Sequence, residues 1–212
     1  ATVLPWLELF HEAGVPALAI DGRGHAASAE LIDDDEARAF SARQRDVEAA
    51  CEELRRRGLE RLLVVGQSQA AAPVIVVAGR RDDVVAVVAD SGPSPSIEVA
   101  TWGLAGEIVG SRRQPLMQAL VCLEIWRGGR VRGYTRALWQ GLRQLRQRPL
   151  MWIHSVEDKV IPRPLAETWF RLHRPPGDGW TALTLNSGGH VQPPTPGTPL
   201  SRALRAFIDR AL

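Results

Sequence analysis

RLLVVGQSQAAAPVIV, at residues 61–76, joins a short apolar run, a turn with a serine at its apex and a segment rich in alanine and valine. The apolar run predicts a buried strand, and the segment after the turn predicts a packed helix. Ser68 lies at the turn, where a strand-to-helix connection exposes its hydroxyl and aims the helix N-terminus at it. Gly66 and Ala70 flank it and are small because the two backbones approach each other there. Ser68 is therefore a candidate nucleophile, with a plain turn serine of another α/β protein as the alternative.

Short apolar segments alternate with helical patterns along most of the chain. Strands are predicted at 15–20, 61–65, 84–89, 150–154 and 181–185. Helices are predicted at 4–13, 42–57, 69–79, 164–172 and 201–212. The strands lack alternating polar residues, which is typical of a parallel sheet covered by helices on both faces. The sequence therefore predicts an α/β fold with a mainly parallel sheet.

Residues 93–147 interrupt this alternation with several glycines, many arginines and three tryptophans. We expect them to form a small helical cap inserted into a core made of 1–92 and 148–212. The tryptophans are candidate contacts for an apolar part of the substrate, with packing inside the cap as the alternative. They are Trp102, Trp126 and Trp139.

Composition bounds the function classes. The chain has 212 residues, 45% of them hydrophobic, which suffices for one domain with a sizeable core. No apolar run approaches the roughly 20 residues of a membrane span. The net charge is only +2, and no basic patch is interleaved with stacking aromatics, so nucleic acid is not an expected partner. Cys51 and Cys122 are interpreted as separate thiols, and the sequence predicts no metal and no cofactor.

Reactive side chains follow several of the predicted strands. In parallel sheets such residues gather beyond the carboxyl ends of the strands. Ser68 comes after the second predicted strand, Asp158 after the fourth and His190 after the last. A nucleophile, a carboxylate and a base are the set that acyl transfer needs. Glu157 and Asp90 are the alternative acids.

The same loops resemble motifs of the α/β-hydrolase superfamily, in its serine esterase and prolyl-oligopeptidase-like branch. Residues 21–28, DGRGHAAS, are similar to the D-x-R-G-H-G-x-S loop of that family. Residues 154–162, HSVEDKVIP, are similar to its H-G-x-x-D-x-x-V-P acid loop. Residues 187–190, SGGH, resemble its histidine ending, and the serine turn departs from G-x-S-x-G only by the methyl group of Ala70.

The resemblance implies a serine hydrolase that acts on a small-molecule ester, thioester or amide through an acyl-enzyme. It implies that Ser68 attacks, that His190 takes and returns the proton, and that Asp158 orients His190. The backbone N–H of Gln69 would supply one oxyanion donor. A non-catalytic α/β-hydrolase-like module that binds a ligand or partner is the alternative function.

Three further residues of these loops have structural roles by the same resemblance. Arg23 and His25 are expected to brace their loop, and His154 is expected to be structural. A cytoplasmic location is expected.

The family's second oxyanion donor and first strands would precede the helix at 4–13. Three explanations stay open: a missing or cleaved N-terminal segment, a second chain that supplies the strands, or a shortened and weakened homologue. Under the first two, the domain is active only when it is complemented. The predicted strand at 15–20 would then form an open edge of the sheet.

Overall fold

The computed structural model describes residues 3–23, 28, 40–93, 105, 119–120, 123, 134–145, 148–161, 163–177 and 179–212. The helices within these ranges are α1 (Leu4–Glu12), α2 (Phe40–Arg56), α3 (Ala71–Arg80), α4 (Tyr134–Gln144), α5 (Arg163–His173) and α6 (Pro199–Ala211). The strands are β1 (Leu62–Gln67), β2 (Val84–Asp90), β3 (Leu150–Ser155) and β4 (Trp180–Leu185), and a short 3₁₀ turn spans Ser68–Ala70. No described helix combines the length and apolarity that crossing a bilayer requires.

The four strands form a parallel sheet in the order β1-β2-β3-β4. The predicted parallel sheet is therefore confirmed, as are the predicted strands that became β1 to β4. The register pairs Gln67 at the end of β1 with Asp90 at the end of β2. The carboxyl ends of the strands thus lie at one edge of the sheet, where the loops after β1, β2, β3 and β4 meet.

Each face of the sheet has its own hydrophobic core. In β2, Val87 and Ala89 belong to the core under α2 to α5, whereas Ala86 and Val88 belong to the core under α1 and α6. This alternation follows from the two-residue period of a strand, and it explains why β2 is apolar at every position before its last. The largest fully buried side chains include Trp152 and Trp180 of the first core.

The strand predicted at 15–20 is not formed, and that prediction is wrong. These residues lie in neither a helix nor a strand, and Pro16, Ala17, Ala19 and Ile20 are exposed. An apolar run becomes a strand only when its backbone pairs with a neighbour, and among the described residues this segment pairs with no strand. The edge of the described sheet is therefore β1, which pairs only with β2.

Helix α4, at the end of the predicted insertion, packs into the first core. In α4, Leu138 and Leu142 are buried in the first core, and Gly141 lies against the backbone of α3. A Cβ atom at Gly141 would lie 2.9 Å from the Cα atom of Val76, so the two helices touch backbone to backbone. The rest of the predicted cap falls largely outside the described residues and stays a prediction.

Candidate active site

The turn after β1 is a sharp, strained connection. Ser68 has a φ of 52°, in the left-handed region that side chains other than glycine rarely adopt. A Cβ atom at Gly66 would lie 2.4 Å from the carbonyl oxygen of Ala70, so only glycine fits there. The left-handed conformation of Ser68 lets the chain pass directly from β1 into the 3₁₀ turn and then into α3. Ser68 is thereby held at the carboxyl edge of the sheet with its hydroxyl turned toward the histidine loop.

The imidazole of His190 joins the other two predicted residues. Its Nε2 atom lies 2.7 Å from Oγ of Ser68, and its Nδ1 atom lies 2.9 Å from Oδ2 of Asp158. The three side chains come from the loops after β1, β3 and β4. The structure therefore brings Ser68, Asp158 and His190 into one continuous hydrogen-bonded chain.

The acidic end of this chain is ordered by its own loop. Asp158 is only 5% exposed, and its Oδ1 atom accepts the backbone N–H groups of Val160 at 2.8 Å and Ile161 at 2.9 Å. Burial by itself would raise the pKa of Asp158, but the hydrogen bonds from His190 and these N–H groups outweigh it and lower the pKa. An ionised carboxylate only accepts, so Nδ1 of His190 carries the proton and Nε2 accepts from Ser68.

Solved structures share this architecture. An esterase from Pyrococcus furiosus superposes with a TM-score of 0.67 at 18% identity, over 98% of this chain and 74% of that chain. A monoacylglycerol lipase from Paleococcus ferrophilus gives 0.64 at 18% identity, over 99% and 89%. A loop variant of a haloalkane dehalogenase from Bradyrhizobium elkanii gives 0.66 at 15% identity, over 99% and 86%.

The chain has the α/β-hydrolase fold. The resemblance seen in the sequence motifs is therefore confirmed for the fold. No protein-family model matches the sequence, and no curated protein matches it. Because α/β-hydrolase neighbours of this chain include both an esterase and a dehalogenase, the fold by itself does not define the reaction.

The two alternative acids contact other groups of this site. Glu157 is exposed, and its Oε2 atom accepts the backbone N–H of Gly188 at 2.8 Å. Asp90 is buried and accepts hydrogen bonds from Nε2 of Gln67 at 2.9 Å and from Oγ of Ser91 at 3.0 Å. Burial raises the pKa of Asp90, although both hydrogen bonds act against the rise. Asp158 is thus the carboxylate that meets the imidazole.

The residue after the serine, Gln69, is the one whose backbone N–H is expected to be an oxyanion donor. Gln69 is exposed in the 3₁₀ turn that leads into α3. The first N–H groups of a helix have no intrahelical acceptor, and the helix dipole makes that end partly positive. Gln69 lies directly before Ala70, the N-cap of α3, and is therefore next to the positive end of that helix.

The remaining predicted residues have varied surroundings. Arg23 donates from its backbone N–H and from Nε to the carboxylate of Asp46 on α2, at 3.0 Å and 2.6 Å, and so braces its loop.

Trp139 is 40% exposed and packs edge-on against His173, with ring centroids 4.4 Å apart. His173 ends α5, whereas the acid loop precedes the start of that helix, so Trp139 lies at the far end from the acid. Trp102, Trp126, His25 and Cys122 lie outside the described residues.

Two polar residues of the site were missed by the sequence interpretation. Gln67 is an unspecified position of the serine turn, and Ser91 follows an apolar strand run, so neither residue type indicated a role. The one available signal was their position at strand ends. Their hydrogen bonds to Asp90 become visible only once β1 and β2 are paired.

His154 gives the fold a dependence on pH. It is 4% exposed, and its buried Nε2 atom has no hydrogen-bond partner among the described residues. Burial lowers the pKa of His154 below its ordinary value of 6.5. Below pH 6.5, His154 therefore binds a proton in the unfolded chain but stays neutral in the folded chain. The free energy of unfolding consequently decreases as pH falls through this window.

We expect urea unfolding to show this loss as a falling free energy of unfolding between pH 7.5 and 5.5. The slope from one such group is at most about 1.4 kcal/mol per pH unit. The variant His154→Gln cannot take up that proton, so its curve should be shallower than that of the parent protein. Parallel curves for the two proteins would contradict a neutral, buried His154.

Proposed function

We propose that the chain is a serine hydrolase that cleaves a carboxylic ester through an acyl-enzyme on Ser68. The observation that carries the proposal is the imidazole of His190, which lies 2.7 Å from Oγ of Ser68 and 2.9 Å from Oδ2 of Asp158. A hydroxyl, a base and an ionised carboxylate in this order form the chemistry of acyl transfer. The similarity to an esterase and a monoacylglycerol lipase supports an ester as the substrate class, with thioesters and amides as weaker candidates.

In the acylation step, Oγ of Ser68 attacks the carbonyl carbon while its proton moves to Nε2 of His190. The carbonyl oxygen becomes an oxyanion, which the N–H of Gln69 stabilises together with the positive end of α3. The carbon–oxygen bond to the leaving group then breaks, and the imidazolium gives its proton to the departing alkoxide. The products of this step are an alcohol and an ester on Ser68.

In the deacylation step, a water molecule replaces the alcohol. Nε2 of His190 takes a proton from the water, whose oxygen attacks the acyl carbon. Collapse of the second tetrahedral intermediate returns the proton to Oγ of Ser68 and releases the carboxylic acid. Asp158 keeps its charge throughout and stabilises the imidazolium formed in both steps.

A fluorophosphonate probe tests this proposal because it reacts with serines that are activated by a base. We expect intact-mass and peptide mass spectrometry to find one adduct, on Ser68, and to find none in Ser68→Ala. The matched control is Ser187→Ala, since Ser187 is an exposed serine of the histidine loop, and this variant should be labelled like the parent protein. Folded parent protein that is not labelled, or is labelled elsewhere, would favour the non-catalytic binding module.

Nitrophenyl esters of graded acyl length, with a matching thioester and anilide, define the substrate class. We expect the ester to be hydrolysed faster than the anilide, because a phenoxide leaves more readily than an amine. Faster turnover of the anilide would redirect the proposal to an amidase.

A further inference from the structure

The loop that carries His190 is held in an unusual backbone conformation. It lies outside the helices and strands, and its φ angles are 106° at Gly188, 64° at Gly189 and 59° at Val191. The left-handed region is strongly disfavoured for a branched side chain such as that of Val191. A conformation of this kind persists only where neighbouring groups hold it.

One of those groups is Ser91, which follows β2. Its Oγ atom accepts the backbone N–H of Val191 at 2.9 Å and donates to Oδ1 of Asp90 at 3.0 Å. Ser91 is itself 3% exposed and has a φ of 54°. The residue directly after His190 is thus tied, through one buried hydroxyl, to the carboxylate of Asp90.

The other oxygen of Asp90 faces the serine turn. Oδ2 accepts from Nε2 of Gln67 at 2.9 Å, and Gln67 directly precedes Ser68. Gln67 and Asp90 are also partners in the register of β1 and β2. Asp90 is 1% exposed, so its carboxylate is buried; its hydrogen bond from Ser91 is buried and the one from Gln67 is partly buried.

We infer that Asp90 is a positioning residue, which fixes the Ser68–His190 distance by joining Gln67 on one side to Ser91 and Val191 on the other. This role rests on the proposed function and extends it. Asp90 touches no reacting atom. It acts because a misplacement of about 1 Å between a nucleophile and its base lowers rates by about 10²-fold.

The conservative variant Asp90→Asn distinguishes positioning by hydrogen bonds from an electrostatic effect of the carboxylate charge. The amide oxygen accepts from Ser91, and the amide nitrogen donates to Gln67 once the side chain amide of Gln67 turns over. Both links are therefore kept while the charge is lost. We expect Asp90→Asn to retain at least about a third of the parent kcat.

Ser91→Ala removes the link to the histidine loop and leaves Asp90 in place. We expect it to lower kcat for a nitrophenyl ester about 10- to 100-fold, with KM changed less than about threefold. The protein should stay folded, with a Tm lowered by a few degrees because Val191 and Asp90 each lose a hydrogen bond. Ser187→Ala is the control and should match the parent protein. Asp90→Ala should resemble Ser91→Ala, and where it does not fold, Ser91→Ala and Asp90→Asn carry the test.

Hydrogen exchange of the Val191 amide gives a second readout that does not need activity. The exchange rate should rise at least about tenfold in Ser91→Ala and stay near the parent value in Asp90→Asn. If the two variants show this exchange pattern but the parent protein shows no Ser68 labelling, the positioning role stands and the proposed function fails. Parent-like kcat and exchange in Ser91→Ala would overturn the inference, as would a fall of kcat in Asp90→Asn as deep as that in Asp158→Asn.

Discussion

Replacing His190 by glutamine is expected to lower kcat for ester hydrolysis by about 10⁶-fold, since the catalytic groups of such sites act as a unit. The imidazole bridges Ser68 and Asp158 at 2.7 Å and 2.9 Å, so one substitution breaks both contacts. Glutamine keeps a polar side chain of similar reach but has no basic nitrogen. Ser68 stays in place without a group to take its proton. Steady-state hydrolysis of a nitrophenyl ester and the rate of fluorophosphonate labelling measure the loss.

The matched control for this variant is His11→Gln. His11 is an exposed histidine of α1, and its replacement should leave both rates unchanged. A loss of less than about 100-fold in His190→Gln would mean that a different group serves as the base.

Replacing Asp158 by asparagine is expected to lower kcat by about 10⁴-fold. Oδ1 of Asp158 accepts two backbone N–H groups, from Val160 and Ile161, so the amide oxygen of the new side chain must take that position. Its NH₂ group then faces Nδ1 of His190 and donates to it. The imidazole is forced into the tautomer that carries its proton on Nε2, which cannot accept from Ser68.

The substitution changes the tautomer of His190 but leaves the fold intact, so the variant should unfold at a Tm near that of the parent protein. Glu157→Gln is the matched control, because an amide oxygen can still accept the N–H of Gly188 and keep that contact. Its kcat should stay within about threefold of the parent value. An equal fall in both variants would show that the whole acid loop, rather than one carboxylate, had been disturbed.

Local patterns were sufficient to predict the parallel sheet and its main elements. Strands β1 to β4 are short apolar runs bounded by polar or glycine-rich turns, and such runs can be identified without knowing their partners. The run at 15–20 has the same pattern but no pairing partner among the described residues, so it forms no strand. Whether an apolar run pairs depends on a distant segment, which its own residues do not specify.

The candidate site divides in the same way. Ser68, Asp158 and His190 were identifiable because each lies within a motif at a strand end. The sequence favoured Asp158 and left Glu157 and Asp90 as alternative acids, since all three carboxylates follow predicted strands. Only three-dimensional distances separate the acid that contacts the imidazole from Glu157, which accepts a backbone N–H, and from Asp90, which accepts from two side chains.

The position of helix α4 in the first core could not be predicted from the sequence. The sequence predicts a cap over the whole of 93–147, which includes α4, because this segment interrupts the alternation of strands and helices with glycines, arginines and three tryptophans. The contact of α4 with α3 runs through Gly141, and a glycine within a helical pattern does not show what approaches it. The close packing of two helix backbones is a property of the pair.

Ser68 and His190 are far apart in the sequence, so the proposed catalysis depends on cooperative folding of the sheet between them. Ser68 and His190 meet across 122 positions, and the strands between them, β2 and β3, separate their loops. Contacts of such long range form late and are lost when any intervening strand detaches. No partly folded form with β4 released retains the bond from His190 to Ser68. Under the proposed function, the rate at which a fluorophosphonate probe labels Ser68 should therefore follow the population in which the whole sheet is formed.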